Sequence, residues 1–424
     1  MLYEKPRRVV ITGLGVVSAQ GIGVNTFWNN LVQGISRVGI LTCLNLDYEK
    51  YTPYGAEIKN FCFLDHCPDA EKYIPYLDVG MQYGFVGAQE AYRDSQIAKD
   101  RDCIEEDRFG VYVGTTTGGI LSAFPKSKEY VEGHDGSIFD DKMLYKYCPG
   151  LWAAQLAHYF KTGGPTKSFG ISCSVSGEAI GNCYQDIKHG VVDIALCGGC
   201  DAPIILLNFL SFYLLGATSR WTGSPEGACR PFSKDRSGMV FGEGSAFFVL
   251  EDLELAKKRN ARIYGEIVGF GATCDGYHMT APSEDAEDYA KAIKIAMAEA
   301  SLQPEDIDYI SCHGTSTLLN DPAETLAIKK ALGKHAYNTP IGSIKSMIGH
   351  TFGAATAMEM LTMVKVLQTQ IAPPTINYAE KDESCDLDCV PNVARPIQCD
   401  CALKTSTGFG GANIALAVKR YEDD

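Results

Sequence analysis

The 424-residue sequence predicts an α/β fold built from two similar halves. Three observations carry this. Apolar strand-like runs ending in glycine alternate with amphipathic helical stretches, the pattern of βαβ units and mainly parallel sheets. The same succession of segments occurs twice, which suggests two central sheets with helices packed between and around them. Every residue with candidate chemistry falls at the carboxyl end of a predicted strand, where such folds hold their ligands.

The halves are placed at residues 1–255 and 256–424. Arg8-Val-Val-Ile-Thr-Gly-Leu-Gly15 reads as a buried strand running into glycines, and Arg262-Ile-Tyr-Gly-Glu-Ile-Val-Gly-Phe-Gly271 repeats it. Helical periodicity follows over residues 26–34 and 286–300. The next strands are Phe109-Gly-Val-Tyr-Val-Gly114 and Ile307-Asp-Tyr-Ile-Ser-Cys-His-Gly314, each running into a turn rich in Thr with Gly or Ser. Each half then has a strand-to-helix elbow. The first is Ser168-Phe-Gly-Ile-Ser-Cys173 leading into residues 177–189, the second Ile341-Gly-Ser-Ile-Lys345 leading into residues 353–368. A final apolar strand ends in glycines in both, at residues 193–199 and at residues 402–405 before Gly408-Phe-Gly-Gly411. Long stretches at residues 41–74, 126–151 and 204–238 interrupt the repeat and are read as insertions carrying specificity and partner surfaces.

Composition narrows the function classes. With 46% hydrophobic and 21% charged residues the chain can bury a sizeable core and is not a disordered composition. A formal net charge of −14 argues against nucleic-acid binding, which needs a basic surface. The first eight residues carry charge and lack an apolar signal-peptide core, so a cytoplasmic protein with its 16 cysteines reduced is expected. The longest apolar run, residues 204–215, is too short for a bilayer span of about 20 residues and is read as a buried helix or loop. Cys385, Cys389, Cys399 and Cys401 are irregularly spaced for a structural zinc site, and Cys197-Gly-Gly-Cys200 has no second pair at a suitable distance. No metal is expected.

Cys173 stands where a strand stops and small residues open a helix. Free backbone N–H groups and the positive end of the helix dipole favour the nucleophilic thiolate there, and the same N–H groups can hold an oxyanion. The alternative is a buried structural thiol, the commoner fate of cysteine. His313 and His350 lie at strand-end turns in the second half, at metal-unlike spacings. A cysteine and two histidines at equivalent places of repeated halves form a specific pattern. Lys345 shares the elbow of His350, and Glu324 follows His313. If the two segments face each other, Lys345 and Glu324 pair. A surface pair would matter little, but a buried one would set the field at the histidines. The glycines of Gly408-Phe-Gly-Gly411 allow close backbone approach, and their N–H groups could complete an oxyanion hole with that of Cys173.

At these residues the chain resembles the elongating β-ketoacyl-acyl-carrier-protein synthases of the thiolase superfamily. Cys173, His313 and His350 match that family's Cys–His–His triad. The flanking matches are Ala228-Cys-Arg-Pro-Phe-Ser-Lys-Asp-Arg-Ser-Gly238, Phe241-Gly-Glu-Gly244, Tyr277-His-Met-Thr280, His313-Gly-Thr-Ser-Thr317, Lys345-Ser-Met-Ile-Gly-His350 and Gly408-Phe-Gly-Gly411. The similarity runs from about Arg8 to Arg420. It implies the thiolase fold, a five-layered αβαβα arrangement, and a dimer. It implies decarboxylative Claisen condensation of an acyl-Cys intermediate with a malonyl-carrier protein. By resemblance, His313 and His350 stabilise the enolate, and the N–H groups of Cys173 and Phe409 hold the oxyanion. Phe409 also gates the site, Thr315 and Thr317 bind the phosphopantetheine arm, and Lys345 and Glu324 form the supporting ion pair. No cofactor is implied beyond the phosphopantetheine of an acyl carrier protein. The partner is a second copy or a chain-length-factor-like subunit.

The departures point to a specialised pathway. Glu178 stands where fatty-acid enzymes commonly have His, which looks more like the ketosynthase-α subunits of type II polyketide systems, as does Cys200-Asp-Ala-Pro-Ile204. The bulky residues 206–215 suggest an altered acyl pocket, and the basic carrier-docking helix is poorly matched around Lys72, leaving Lys72 and Arg220 as weak docking candidates. The competing readings are a housekeeping fatty-acid synthase II, a non-catalytic chain-length-factor-like scaffold, which would lack the nucleophile, and a thiolase or chalcone-synthase-like enzyme. Thiolases place a second cysteine near Thr407 and Phe409, and chalcone-type enzymes replace the second histidine by Asn.

Overall fold

The computed structural model describes residues 6–422. The first half contributes β1 (Val9–Ser18), α1 (Val79–Asp94), β2 (Phe109–Gly114), α2 (Trp152–Phe160), β3 (Thr166–Phe169), α3 (Val175–Lys188), β4 (Ile194–Asp201), α4 (Leu206–Leu214) and β5 (Gly244–Asp252). The second contributes β6 (Gly265–Cys274), α5 (Glu287–Glu299), β7 (Tyr309–Ser311), α6 (Asn320–Leu332), β8 (Ile341–Gly342), α7 (Lys345–Ile348), α8 (Ala355–Thr369), β9 (Cys401–Gly408) and β10 (Ala412–Lys419).

The strands run β8-β7-β9-β10-β6-β1-β5-β4-β2-β3 across one hydrogen-bonded sheet, to which the short strand Gly21–Ile22 adds on β1. Outward from the β1–β6 seam the order is β1, β5, β4, β2, β3 on one side and β6, β10, β9, β7, β8 on the other, so each strand n is matched by strand n+5. Pair directions match as well. The two inner pairs of each half are antiparallel and the two outer pairs parallel. This corrects two expectations. The sheet is mixed rather than mainly parallel, because the last strand of each half returns antiparallel, in the second half through a three-residue turn that permits nothing else. The two sheets are also joined into one, because Val9, Val10 and Ile11 pair with Ile267, Glu266 and Gly265.

The repeat reaches individual residues. Both seam strands are bulged, between Ile11 and Gly13 in β1 and between Ile267 and Gly269 in β6. Beyond each bulge a helix lies directly on the strand backbone. A methyl at Gly15 would sit 2.0 Å from the carbonyl oxygen of Gly87 in α1, and one at Gly271 2.0 Å from that of Ala292 in α5. Glycine is needed here for space rather than for conformation.

Helices α1 and α2 cover the outer face of the first half, and α5, backed by α6, covers that of the second. Helices α3 and α8 pack against each other and touch strands of both halves. The result is the five-layered αβαβα thiolase arrangement, with the outward parts of the sheet folded around one central helical layer. Helix α8 is buried nearly all round, as that position demands. Helix α4 is less buried than expected. Phe209 packs on Phe241 at 5.7 Å, whereas Leu206, Leu207, Leu214 and Leu215 are exposed. Among the described residues no helix is long and apolar enough to cross a membrane, and no group of His, Cys, Asp and Glu is placed to hold a metal ion.

Candidate active site

Segments that follow β3, β4, β7, β8 and β9 meet at a cavity of about 320 Å³. Its walls include Cys173, His313, His350, Thr315, Thr317 and Phe409, six of the residues singled out from the sequence. A larger open groove of about 740 Å³ near Arg93, Arg262 and Lys365 contains none of them.

Cys173 lies past the end of β3, one residue before the capping Ser174 of α3. It is 7% exposed. Burial, opposed by Lys345 and reinforced by Asp201, pushes its thiol up to about 12. The expectation of a resting thiolate is therefore corrected. Desolvation of the anion outweighs the nearby ammonium and favours the neutral thiol.

The two imidazoles stand edge to face, with ring centroids 5.3 Å apart and an interplanar angle of 89°. His350 also stacks on Phe352 at 4.8 Å, and its main chain is fixed by N–H donation to Val240 O at 2.6 Å. Burial holds His313 well below the usual histidine range, helped by Lys345, His350 and Lys404, and burial with Lys345 and Lys404 does the same for His350. Both rings are neutral at pH 7. Lys345 Nζ and Ser406 Oγ lie 3.4 and 3.3 Å from His313 Nδ1. An ammonium there makes Nδ1 the acceptor, which puts the ring proton on Nε2.

The expected Lys345–Glu324 pair does not form. Lys345 is buried against Glu359 instead and also donates to His313 O at 2.5 Å. Glu324 is occupied by four other donors: the N–H groups of His313 and Gly314, both at 2.7 Å, Tyr289 Oη at 2.8 Å and Thr405 Oγ1 at 2.7 Å. It clamps the turn that carries His313. A carboxylate that accepts from four donors in this way has no need of the lysine. Glu359 was missed from sequence, as was Lys404, whose Nζ lies 2.8 Å from Glu359 Oε2. The available signal was charge in apolar context, a glutamate inside the otherwise apolar α8 and a lysine inside buried β9.

Two backbone donors complete the site. Among the described residues, the N–H groups of Cys173 and Phe409 donate to no other residue. Their loops touch, since a methyl at Gly408 would lie 3.1 Å from Cys173 N and 2.0 Å from Ser172 Oγ. Phe409 stacks on Phe212 at 5.6 Å, and Phe212 meets Phe352 edge-on at 5.2 Å, so an aromatic chain runs from the cavity wall to His350. Thr315 and Thr317 share a hydroxyl–hydroxyl contact of 2.9 Å in the cavity wall. Asp201, also unforeseen, accepts from Thr116 N at 2.9 Å and Gly353 N at 2.7 Å and so ties the loops of the two halves together. Lys72 and Arg220 are not among the cavity walls and rest on the rings of Tyr73 and Tyr213.

Two family profiles match the chain. They are described as "Beta-ketoacyl synthase, N-terminal domain", over residues 6–256, and "Beta-ketoacyl synthase, C-terminal domain", over residues 264–379. The chain is 36% identical to a 3-oxoacyl-[acyl-carrier-protein] synthase 2 of Synechocystis sp., over the full length of both. It is 37% identical to a putative polyketide beta-ketoacyl synthase 1 of Streptomyces cyaneus, covering 97% of this chain and 98% of that one. Among solved structures, the ishigamide ketosynthase/chain length factor superposes with a TM-score of 0.89 at 32% identity, covering 98% of this chain and 100% of that one. With its profiles spanning most of the sequence and its relatives matched end to end, the chain belongs to the β-ketoacyl synthase family of acyltransferases.

Proposed function

We propose that the chain is an elongating ketosynthase in which Cys173 carries the growing acyl chain and His313 and His350 drive decarboxylation of the extender. The observation that carries this is the convergence of one thiol, two neutral imidazoles and two undonated backbone N–H groups on one cavity. Cys173 Sγ attacks the thioester carbonyl of an acyl-carrier protein. The Sγ–C bond forms, the C–S bond to the carrier breaks, and the proton of Cys173 leaves on the released carrier thiol. A malonyl-carrier protein then loses carbon dioxide, and the electron pair of the broken C–C bond delocalises onto the thioester oxygen, held by the Nε2–H of His313 and a ring N–H of His350. The resulting carbanion attacks the acyl-Cys carbonyl. The N–H groups of Cys173 and Phe409 hold the oxyanion until the C–Sγ bond breaks, and the sulfur regains a proton from solvent. Neutral rings suit this role, because each must donate a hydrogen bond without surrendering its proton. Thr315 and Thr317 hold the phosphopantetheine arm, Phe409 gates the cavity, and Lys345, Glu359 and Glu324 position the histidines. The protein groups supply all of this chemistry, with no further cofactor.

The pathway reading is a type II polyketide or related specialised one, in the reducing cytoplasm that suits sixteen free cysteines. The chain acts with an acyl carrier protein and either a chain-length-factor-like subunit or a second copy. A housekeeping fatty-acid synthase is the second reading, favoured by the end-to-end match to the Synechocystis enzyme. Incubation with acyl- and malonyl-carrier proteins, read by intact mass, tests both. The expected products are an acyl adduct on Cys173 and a 3-ketoacyl chain two carbons longer on the carrier. Cys173→Ala should lose both, with condensation down at least about 10³-fold, and condensation by that variant at the normal rate would refute the assignment. Turnover with the ordinary fatty-acid carrier protein alone would move the protein to the housekeeping reading.

A further inference from the structure

Behind the histidines lies a sealed set of charges. Glu359, 1% exposed, stands between two lysines, with Lys345 on Oε1 and Lys404 Nζ 2.8 Å from Oε2. Lys404 is fully buried in β9 and also donates to Ser311 O at 3.0 Å and to its neighbour Thr405 O. It lies outside the cavity walls and touches neither imidazole. A single lysine would suffice to pair Glu359, so the second ammonium is in excess of that carboxylate. Ion pairs are costly to bury, and an unneeded one carries a large desolvation penalty. A buried charge of this kind calls for a role.

We propose that Lys404 is a positioning residue: seated on the far oxygen of Glu359, its ammonium leaves the Lys345–Glu359–Lys404 set with one net positive charge behind His313 and His350 and so adds to burial in keeping both rings in the neutral, hydrogen-donating form the decarboxylation step uses. With Lys404 present, Lys345 is only half compensated and can lean on His313. Without it, Glu359 cancels Lys345 outright. The other charged group nearby is Glu324, which accepts from the His313 turn, Tyr289 and Thr405; its charge offsets part of the field but is the same in every variant, so it leaves the difference made by Lys404 unchanged. The further titratable neighbours are Cys173, Cys312, Tyr289 and Tyr309, all pushed upward and neutral at pH 7. Asp321 is raised to about 6 and faces Arg236. Burial is the first cause of the lowered histidines, and Lys345 and Lys404 add to it in the same direction.

The proposal rests on the ketosynthase reading for its purpose but not for its test. In the wild-type protein, ring-labelled histidine NMR should show His313 and His350 uncharged down to pH values below the ordinary histidine range. Titration of either near or above 6.5, the ordinary value, would overturn the proposal whatever the enzyme turns over. Lys404→Met should raise both titrations, and with them the acid limb of kcat for condensation, by on the order of one pH unit. That is the effect of a unit charge ~10 Å away at an effective dielectric of ~20. The decisive arm is the double variant Lys404→Met/Glu359→Gln, which removes one charge of each sign and restores the net charge of the wild type. It should bring the titrations and the acid limb back toward the wild-type values. A purely structural role predicts that the second substitution deepens the defect without moving the limb back, and that result sinks the proposal.

Discussion

At Cys173 two effects oppose one another. Lys345 favours the anion, and burial opposes it more strongly. The nucleophile should therefore be silent until a thioester displaces water and offers its own leaving sulfur to take the proton. Alkylation by iodoacetamide, followed peptide by peptide with exposed Cys62 and Cys103 as reference thiols, should still be accelerating for Cys173 between about pH 9 and about pH 10. A plateau below about pH 8 would mean that the thiolate exists at rest. That Cys173, His313 and His350 meet at one cavity was legible in the sequence because they occupy unusual places, at strand ends among glycines and small residues. The partner of Lys345 was not. Glu324 and Glu359 are both carboxylates within reach on the chain, and only the three-dimensional arrangement shows that four donors have already claimed Glu324.

Among the elements, the contact between the nucleophile elbow and the β9–β10 turn is the most sensitive. Gly408 admits the side chain of Ser172 and the backbone nitrogen of Cys173, and a methyl there would fall 2.0 Å from Ser172 Oγ and 3.1 Å from Cys173 N. Gly408→Ala should separate the two N–H donors of the oxyanion site and lower kcat by about 10²- to 10³-fold, the usual cost of losing one such donor. Its thermal midpoint should change little beside that loss. A variant with normal kcat would show that the two loops need not touch. The strands and most helices at this scale were legible from periodicity, with ends displaced by a few residues, as for α3, expected from residue 177 and beginning at Val175. Strand direction was not legible. A run of alternating or apolar residues looks the same whichever way its neighbour points, so the mixed character of the sheet had to come from the pairing itself. For the same reason the exposure of one face of α4 escaped a reading based on its uniform apolarity.

For the whole molecule, stability should depend on pH through buried carboxyls as well as through the site. Glu243 is nearly sealed, accepts from Ile58 N at 2.8 Å, and burial raises it to about 7 from an ordinary 4.5. A carboxyl raised by folding contributes stability that is fully present below about pH 4.5 and is lost as the pH climbs through about 7. Buried His313 and His350 have the opposite sign, losing stability as the pH falls below the ordinary histidine value. Glu243→Gln keeps the neutral acceptor and removes only the carboxyl effect. Urea unfolding should therefore find the variant close to wild type at about pH 5 and more stable at about pH 8, by up to roughly 3 kcal/mol. Equal differences at the two pH values would show that Glu243 is ionised in the fold.

The duplicated α/β architecture, the choice of the three side chains proposed to react and the class of reaction were determined by the sequence alone, because each depends on local pattern: glycine spacing, strand-end placement and short motifs in order. Tertiary structure decided how the two halves join, which charges meet behind the histidines, and whether the thiol rests neutral or charged. Those outcomes depend on distance and desolvation between segments far apart in the chain, quantities that no linear pattern records.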